Sequence, residues 1–295
     1  MRNNSSPPEW LQINHPDWPK QVKTHMTTRL GGCSEQPFES FNLGSHVGDD
    51  AQKVSENRAL LAEMLGAQPV FLNQVHANHV HEIVGSAGQG VSGVSGVSGV
   101  SGINVALGID ADACFTKEAG IACTIMVADC LPVLLTDKSG SFVAAAHAGW
   151  RGLSGAGCFG NKNVLESLID TLIQKSLLRA ENIKDCIAWL GPCIGPKEFE
   201  VGKDVRIAFD RLQVPARTDL DQYFVPTPIN HGDNASKWMA NLAGLARLNL
   251  RSMGVDQVLG NDGTDKWCTL KNIDQFFSHR RDQRTGRQAA LIWIG

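Results

Sequence analysis

No Cys-x-x-Cys pair occurs anywhere in these 295 residues, although the chain carries eight cysteines. That absence excludes the tight zinc clips of small structural modules. Long apolar runs are missing too: none approaches the ~20 residues of a membrane helix. The opening residues, Met1-Arg2-Asn3-Asn4-Ser5-Ser6-Pro7-Pro8, lack the apolar stretch of a secretory leader. There is no excess of positive charge, since 27 Lys and Arg stand against 30 Asp and Glu. A net charge of -3 leaves no basic footprint for nucleic acid. The chain also lacks a Gly-x-Gly-x-x-Gly turn between a strand and a helix, a Walker-type Gly-Lys-Ser/Thr and a Gly-x-Ser-x-Gly elbow, which argues against a dinucleotide fold, a P-loop and a serine-hydrolase triad. Histidine is scarce. Nine in total, with His79-Val80-His81 as the one His-x-His, are too few for a multicopper oxidase. Such an enzyme needs a His2Cys copper and a separate histidine-rich cluster besides.

What is present fits a globular chain with a sizeable core: 42% hydrophobic and 19% charged residues. Eight cysteines, several inside apolar runs such as Ile121-Ala122-Cys123-Thr124-Ile125-Met126-Val127-Ala128, read as reduced thiols in a soluble cytoplasmic protein. Asp49 or Asp50 caps a helix that runs to about Leu65, with Val54, Leu61, Met64 and Leu65 near one face. Short strands are predicted over residues 69–76 and 79–84. Residues 109–148 read as four strands, apolar on both faces and broken at Lys117-Glu118-Ala119-Gly120 and Asp137-Lys138-Ser139-Gly140. Helices follow at residues 163–177 and 236–253, the second from the spacing of Trp238, Leu242, Leu245 and Asn249. A last strand covers residues 288–294. Gly-Val-Ser repeated four times from Gly90 to Ser101 reads as a flexible loop, spanning residues 90–102. Strands and helices alternate without regular βαβ spacing, which predicts mixed sheets rather than a doubly wound parallel sheet.

Three segments end on metal-grade side chains: Asn73-Gln74-Val75-His76, Ala128-Asp129-Cys130-Leu131-Pro132 and Ala145-Ala146-His147-Ala148-Gly149-Trp150-Arg151-Gly152. Two imidazoles and a thiolate make a three-ligand zinc set with the fourth position open. Taken singly, each also fits a core residue, since a free Cys behaves as a small hydrophobe. Cys130 and His147 both follow apolar runs, where buried strands give out and active sites are built. Copper suits imidazole and thiolate as well. Cys130 further fits a nucleophile with His147 as its base, and Asp129 a group that orients a ligand or relays a proton. Guanidinium forks match phosphate oxygens, which makes Arg29, Arg151 and Arg280 candidate phosphate holders. Arg281 reads as a surface ion pair.

The chain resembles the YfiH/laccase-domain family from about Trp10 to its C-terminus. The resemblance rests on those three segments and on Thr27-Thr28-Arg29-Leu30-Gly31-Gly32, Asn42-Leu43-Gly44, Val47-Gly48-Asp49-Asp50, Asn57-Arg58 and Asp110-Ala111-Asp112-Ala113. Further matches are Gly191-Pro192-Cys193-Ile194-Gly195, Phe199-Glu200-Val201-Gly202, Cys268-Thr269 and Phe276-Phe277-Ser278-His279-Arg280-Arg281-Asp282. It implies an α+β fold, a layered α/β/β/α sandwich of mixed sheets forming one domain over residues 1–295. It implies that His76, Cys130 and His147 bind zinc. The implied activities are phosphorolysis of adenosine, inosine and methylthioadenosine together with adenosine deamination, with nucleoside and phosphate as small-molecule partners. Editing of peptidoglycan precursors by an amidase is the alternative, and copper-dependent polyphenol oxidation a weaker one. Cys33 stands where the family usually has an apolar residue, and a buried thiol is expected there.

One open site per chain predicts about one zinc per chain by elemental analysis. Cys130→Ser should release most of it, because a hydroxyl is a much poorer ligand than a thiolate. Substitution of Cys123 or Cys186, read as core thiols, should leave the metal in place. Full retention in the Cys130 variant would remove that residue from the ligand set.

Overall fold

A computed structural model describes residues 10–13, 15–85, 108–212, 220–227 and 236–295. The Gly-Val-Ser repeat lies outside the described residues. Along the chain come β1 (Leu11–Gln12), β2 (Val22–Met26), α1 (Ala51–Leu65), β3 (Gln68–Phe71), β4 (Val80–Glu82), β5 (Ala113–Thr116), β6 (Ile121–Val127), β7 (Leu131–Asp137), β8 (Val143–Ala148) and α2 (Trp150–Ser154). The second half adds α3 (Val164–Gln174), β9 (Cys186–Leu190), β10 (Glu200–Val201), α4 (Lys203–Ala208), β11 (Phe224–Pro226), β12 (Trp238–Ala240), α5 (Leu242–Ser252), β13 (Gln257–Gly260), α6 (His279–Asp282) and β14 (Gln288–Ile294).

Two mixed sheets dominate. One has five strands in the order β1-β2-β14-β6-β3, the other six in the order β13-β9-β7-β8-β5-β4, and a small third sheet runs β10-β12-β11. Period-two alternation distributes their side chains, because successive residues of a strand point to opposite faces. From β6, Cys123, Ile125 and Val127 meet Cys114, Leu134, Val143, Ala145 and Ile187 of the other sheet, filling the space between the two. The intervening Ala122 and Met126 face outward, with Leu291 and Trp293 of β14, and pack under Leu61 and Leu65 of α1. On the far side, Phe115, Val133, Leu135, Ala144 and Ala146 pack with Leu165, Leu168 and Leu172 of α3 and Leu242 and Leu245 of α5. The layers are therefore helix, sheet, sheet, helix, as expected. Strands buried on both faces explain why residues 109–148 read as nearly continuous apolar runs.

Local signals account for most element ends. Asp50 caps α1 by accepting from the Gln52 and Lys53 amides, and Gly66, at φ 59°, stops it. Asn163 and Glu166 form a capping box at the start of α3. The four expected strands are β5 to β8, and β14 has the bounds read from the sequence. Among the described residues no helix is long and apolar enough to cross a membrane.

Several details differ from expectation, and the strand read over residues 69–76 ends at Phe71. Met64 is 39% exposed, and the buried face of α1 carries Asn57 instead. Its amide donates to Ser34 Oγ and to the carbonyls of Ser40 and Asn42, pinning the preceding loop. Cys33 is exposed rather than buried, its amide donating to Asn57 Oδ1 at 2.9 Å. The helix predicted from residue 236 begins only at Leu242. Trp238 belongs to β12, and Asn241 ends that strand and caps α5 by accepting from the Gly244 amide at 2.8 Å.

Candidate metal centre

The three candidate ligands gather at one end of the sandwich, two on connections and one near a strand end. His76 lies between β3 of the five-stranded sheet and β4 of the six-stranded one, and Cys130 between β6 and β7, which again belong to different sheets. His147 is the penultimate residue of β8. Their ligand atoms all lie within 4.8 Å of one another. The imidazoles meet edge to face, with centroids 4.8 Å apart. Both crossings bend sharply: His76 has φ 62° and Asp129 φ 92°, left-handed values that a non-glycine residue holds only when its surroundings impose them.

Asp112 imposes much of this. It is fully buried, and Oδ1 lies 2.8 Å from His147 Nδ1. The same carboxylate accepts from the amides of Val75, His76 and Ala77 at 3.2, 3.0 and 2.7 Å. Its own carbonyl accepts from the His147 amide at 2.7 Å. One acidic side chain thus positions two histidines that are 71 residues apart in sequence (147 − 76). With the Nδ1 proton held by Asp112, His147 presents Nε2 as its donor atom. Gln74 completes the support by pairing its amide with the Met126 backbone in both directions, at 2.8 Å each, like an added strand residue. Gly149 is there because the chain passes so close: a Cβ would lie 3.1 Å from the Cys130 sulfur and 3.5 Å from the His76 ring.

Charges reinforce the geometry. Burial opposes ionisation of Asp112, but the hydrogen bond and charge of His147 and the amides of Ala77 and His76 hold its carboxyl below the usual range. Burial likewise opposes charge on Cys130 and His147. The attraction between them, with hydrogen bonds from both imidazoles to the sulfur and from Asp112 to His147, outweighs it. The thiol falls to about 6 and the His147 imidazole rises to about 9. Without metal the pair is a thiolate and an imidazolium, so the sulfur is already in the form that binds a cation. Two imidazoles, one a pinned Nε2 donor, and a pre-ionised thiolate within sharing distance fit a zinc or copper ion.

The other expected residues have partners of their own. Asp129 takes Thr269 Oγ1 on Oδ1 and the Arg280 amide on Oδ2, each at 2.6 Å, so its carboxylate ties the C-terminal segment beside Cys130. The Arg280 guanidinium donates to the Glu200 carbonyl and lies over Phe199. Arg29 donates to the carbonyls of Glu39 and Ile273 and lies over Phe277. Arg151 is exposed and stacks on Trp150 at 4.4 Å. Arg281 does pair with Asp282, but also holds the carbonyls of Thr269, Leu270 and Phe276.

Sequence reasoning missed a second set of cations. His46, in the loop before α1, has its pKa lowered by burial and then by the charges of Arg287, Arg58, His76 and His147. Arg287 precedes β14 and feels the charges of Cys130 and Asp129. Arg58 reaches from α1 over the Phe71 ring at 4.0 Å and donates Nε to the Leu43 carbonyl. Arg58 and Arg287, with the imidazole of His46 beside them, thus form a positive rim near the triad. Arg58 stood in a family motif, but nothing local marks His46 or Arg287.

A layered sandwich with a His-Cys-His group at one end, its donor atoms close enough to share a metal ion, is the class of protein these features define. The chain belongs to the family described as multi-copper polyphenol oxidoreductase laccase, whose model matches residues 23–295. It is 41% identical over 287 residues to a Pseudomonas aeruginosa protein named purine nucleoside phosphorylase PA4543, covering 97% of this chain and 98% of that one. It is 39% identical to the Escherichia coli (strain K12) protein named purine nucleoside phosphorylase YfiH, covering 97% of each. The crystal structure of Neisseria meningitidis protein NMB0706 superposes with a TM-score of 0.74 at 37% identity, covering 97% and 98%.

Two measurements follow from the geometry. In chelator-treated protein, alkylation of Cys130 by iodoacetamide should rise through a midpoint of about pH 6 and be nearly complete by neutral pH. Exposed Cys33, pushed up to about 11 by burial and by Glu56, should remain slow. A Cys130 midpoint near the ordinary 9.0 would show that the ion pair does not form. Asp112→Asn should weaken metal binding by about ten- to a hundredfold in a competition titration, since such outer partners set ligand orientation. Unchanged affinity would leave Asp112 with a folding role alone.

Proposed function

We propose that this protein is a purine nucleoside phosphorylase, with zinc held by His76, Cys130 and His147 and phosphate held by Arg58, Arg287 and His46. The observation that carries the reading is the positive rim beside the triad, in a chain whose relatives over nearly their full length are named purine nucleoside phosphorylases. Phosphorolysis needs an anionic nucleophile brought to the anomeric carbon of a neutral nucleoside. Arg58 and Arg287 supply the planar, always-charged forks suited to phosphate oxygens. Arg58 spends Nε on a carbonyl, which fixes the direction of the rest of its fork. His46, whose pKa is lowered first by burial and then by the neighbouring cations, is held toward its neutral form and would meet phosphate as a hydrogen-bonding imidazole.

A bound divalent metal would supply Lewis acidity and lower the pKa of nearby water. That chemistry extends the proposal to adenosine deamination, in which water replaces the amino group at C6 and phosphate has no part. The protein's own contribution is to hold the ligands rigid through Asp112 and Gln74 and to keep the nucleoside and phosphate together. Adenosine, inosine and methylthioadenosine are the proposed substrates. The amidase alternative would use the same metal group without phosphate as a nucleophile.

Removing one charge-assisted contact to an anion costs about 1.5–3 kcal/mol, roughly a ten- to hundredfold loss of phosphorolysis efficiency. Arg58→Ala and Arg287→Ala should show that loss on inosine plus phosphate, with adenosine deamination reduced much less and zinc content normal. Arg151→Ala, with its guanidinium stacked on Trp150, should be milder. His147→Ala should abolish both activities. Equal loss of both activities in the Arg58 and Arg287 variants, with metal retained, would sink the phosphate assignment.

A further inference from the structure

Asn42 is fully buried, although it lies in the loop that leads into α1. A carboxamide offers two donors and two acceptor lone pairs, and here all four are used. Oδ1 accepts from the amides of Gly44 and Arg287, each at 2.9 Å. Nδ2 donates to the Gly44 carbonyl at 3.2 Å and to Asp49 Oδ2 at 2.9 Å. The Asn42 carbonyl takes Asn57 Nδ2 at 2.9 Å.

These bonds run to the segments that carry the positive rim. Gly44 and Asp49 stand on either side of His46, so three of the four close the turn that bears the imidazole. The fourth holds the Arg287 amide, and the Leu43 amide donates to the Arg287 carbonyl at 3.1 Å. The Leu43 carbonyl in turn accepts Arg58 Nε at 2.9 Å. Gly44 permits this approach, since a Cβ there would lie 2.8 Å from Arg287 Cγ. His46 and Arg287 are 241 residues apart in sequence (287 − 46), yet one dipeptide bonds to the segment of each and to the side chain of Arg58.

We propose that Asn42 is the positioning residue of the phosphate site, fixing the register of His46, Arg58 and Arg287 before the anion arrives; the role rests on the phosphate assignment above. Asn42 touches no phosphate and acts through the backbone it holds. Groups already in register lose little freedom when a ligand binds. Asp112 and Asn42 then divide the roles: the carboxylate sets the metal ligands. The neutral carboxamide sets the cations without adding a charge that would compete with phosphate.

The test uses full-length protein with Asn42→Asp, Asp49→Ala and the exchange Asn42→Asp/Asp49→Asn. Initial rates are measured with phosphate varied at saturating inosine and then the reverse, with zinc content and equilibrium dialysis of inorganic phosphate alongside. Asn42→Asp keeps the shape but sets two carboxylates together, and should raise the phosphate KM by about tenfold or more. The exchange restores a donor facing an acceptor at the wild-type net charge, and should recover much of that loss. Asp49→Ala discriminates by sign. Removing a carboxylate near cations would tighten phosphate binding by Coulomb attraction alone, whereas a loosened turn weakens it. Weaker phosphate binding, with inosine KM and zinc content at wild-type values, is the expected result, and it decides the matter even if Asn42→Asp fails to fold. If wild type cleaves inosine and the single variants keep its phosphate KM, or lose phosphate, inosine and zinc alike, the positioning role is overturned and phosphorolysis stands. Tighter phosphate binding in Asp49→Ala also overturns it. If wild type binds phosphate but cleaves nothing, phosphorolysis falls, and weaker phosphate binding in the variants upholds the role of Asn42. Wild type that neither binds nor uses phosphate overturns both.

Discussion

A single buried carboxylate organises this end of the molecule. Asp112 accepts three consecutive amides of the loop that bears His76 and also the ring and backbone of His147. A buried charge is costly unless it is paired and hydrogen-bonded, and here its attractions outweigh the desolvation. The same bonds that stabilise the carboxylate fix the loop and the tautomer. Neither histidine can be misplaced without leaving part of Asp112 unsatisfied, so stability and ligand geometry are coupled through one residue.

The sandwich supplies the setting. Two of the three ligands sit on chain segments that leave one sheet and enter the other, and the third ends a strand on the same rim. Such crossings pass over the end of the intersheet core, where apolar layers give out and polar groups become affordable. His147 continues the alternation of β8: Val143 and Ala145 point between the sheets, Ala144 and Ala146 away from them. By period two, the imidazole therefore points toward the intersheet side. Loops bring the His46 imidazole and the Arg287 cation to the same end, joined by Arg58 from α1.

What was legible in the sequence follows from how local each signal is. Strands β5 to β8, strand β14 and helix α1 with its Asp50 cap were readable because burial on both faces, turn residues and caps act within a few positions. The triad was readable through residue types that suit a metal. Trp238 misled because its spacing to Leu242 and Leu245 matched a helix, while the cap at Asn241 and pairing with β10 and β11 were the stronger determinants. The arginines were hardest to place. Arg29 and Arg280 carry the right chemistry, and their guanidinium groups donate to carbonyls, as do those of Arg58 and Arg287. His46 and Arg287 acquire their neighbours solely through the fold. A long-range electrostatic cluster leaves no periodicity to read.

The same cluster bears on two descriptions, the oxidoreductase of the family model and the phosphorylase of the relatives' names. Multicopper oxidation requires several coppers with histidine-rich ligands. Among the described residues one group of His, Cys or acidic side chains is disposed to hold a metal, and it has three members. His79 and His81, the one His-x-His in the chain, sit at the edge strand β4 and its approach rather than in that group. A phenol is neutral and needs no anion site, whereas phosphate would offset the repulsion among Arg58, Arg287 and the imidazoles beside them. The charges of Cys130 and Asp129 already face Arg287, and a bound dianion would add to what offsets these cations. On the reading proposed above, this rim would take an anionic co-substrate, and among the described residues one possible metal group stands beside it.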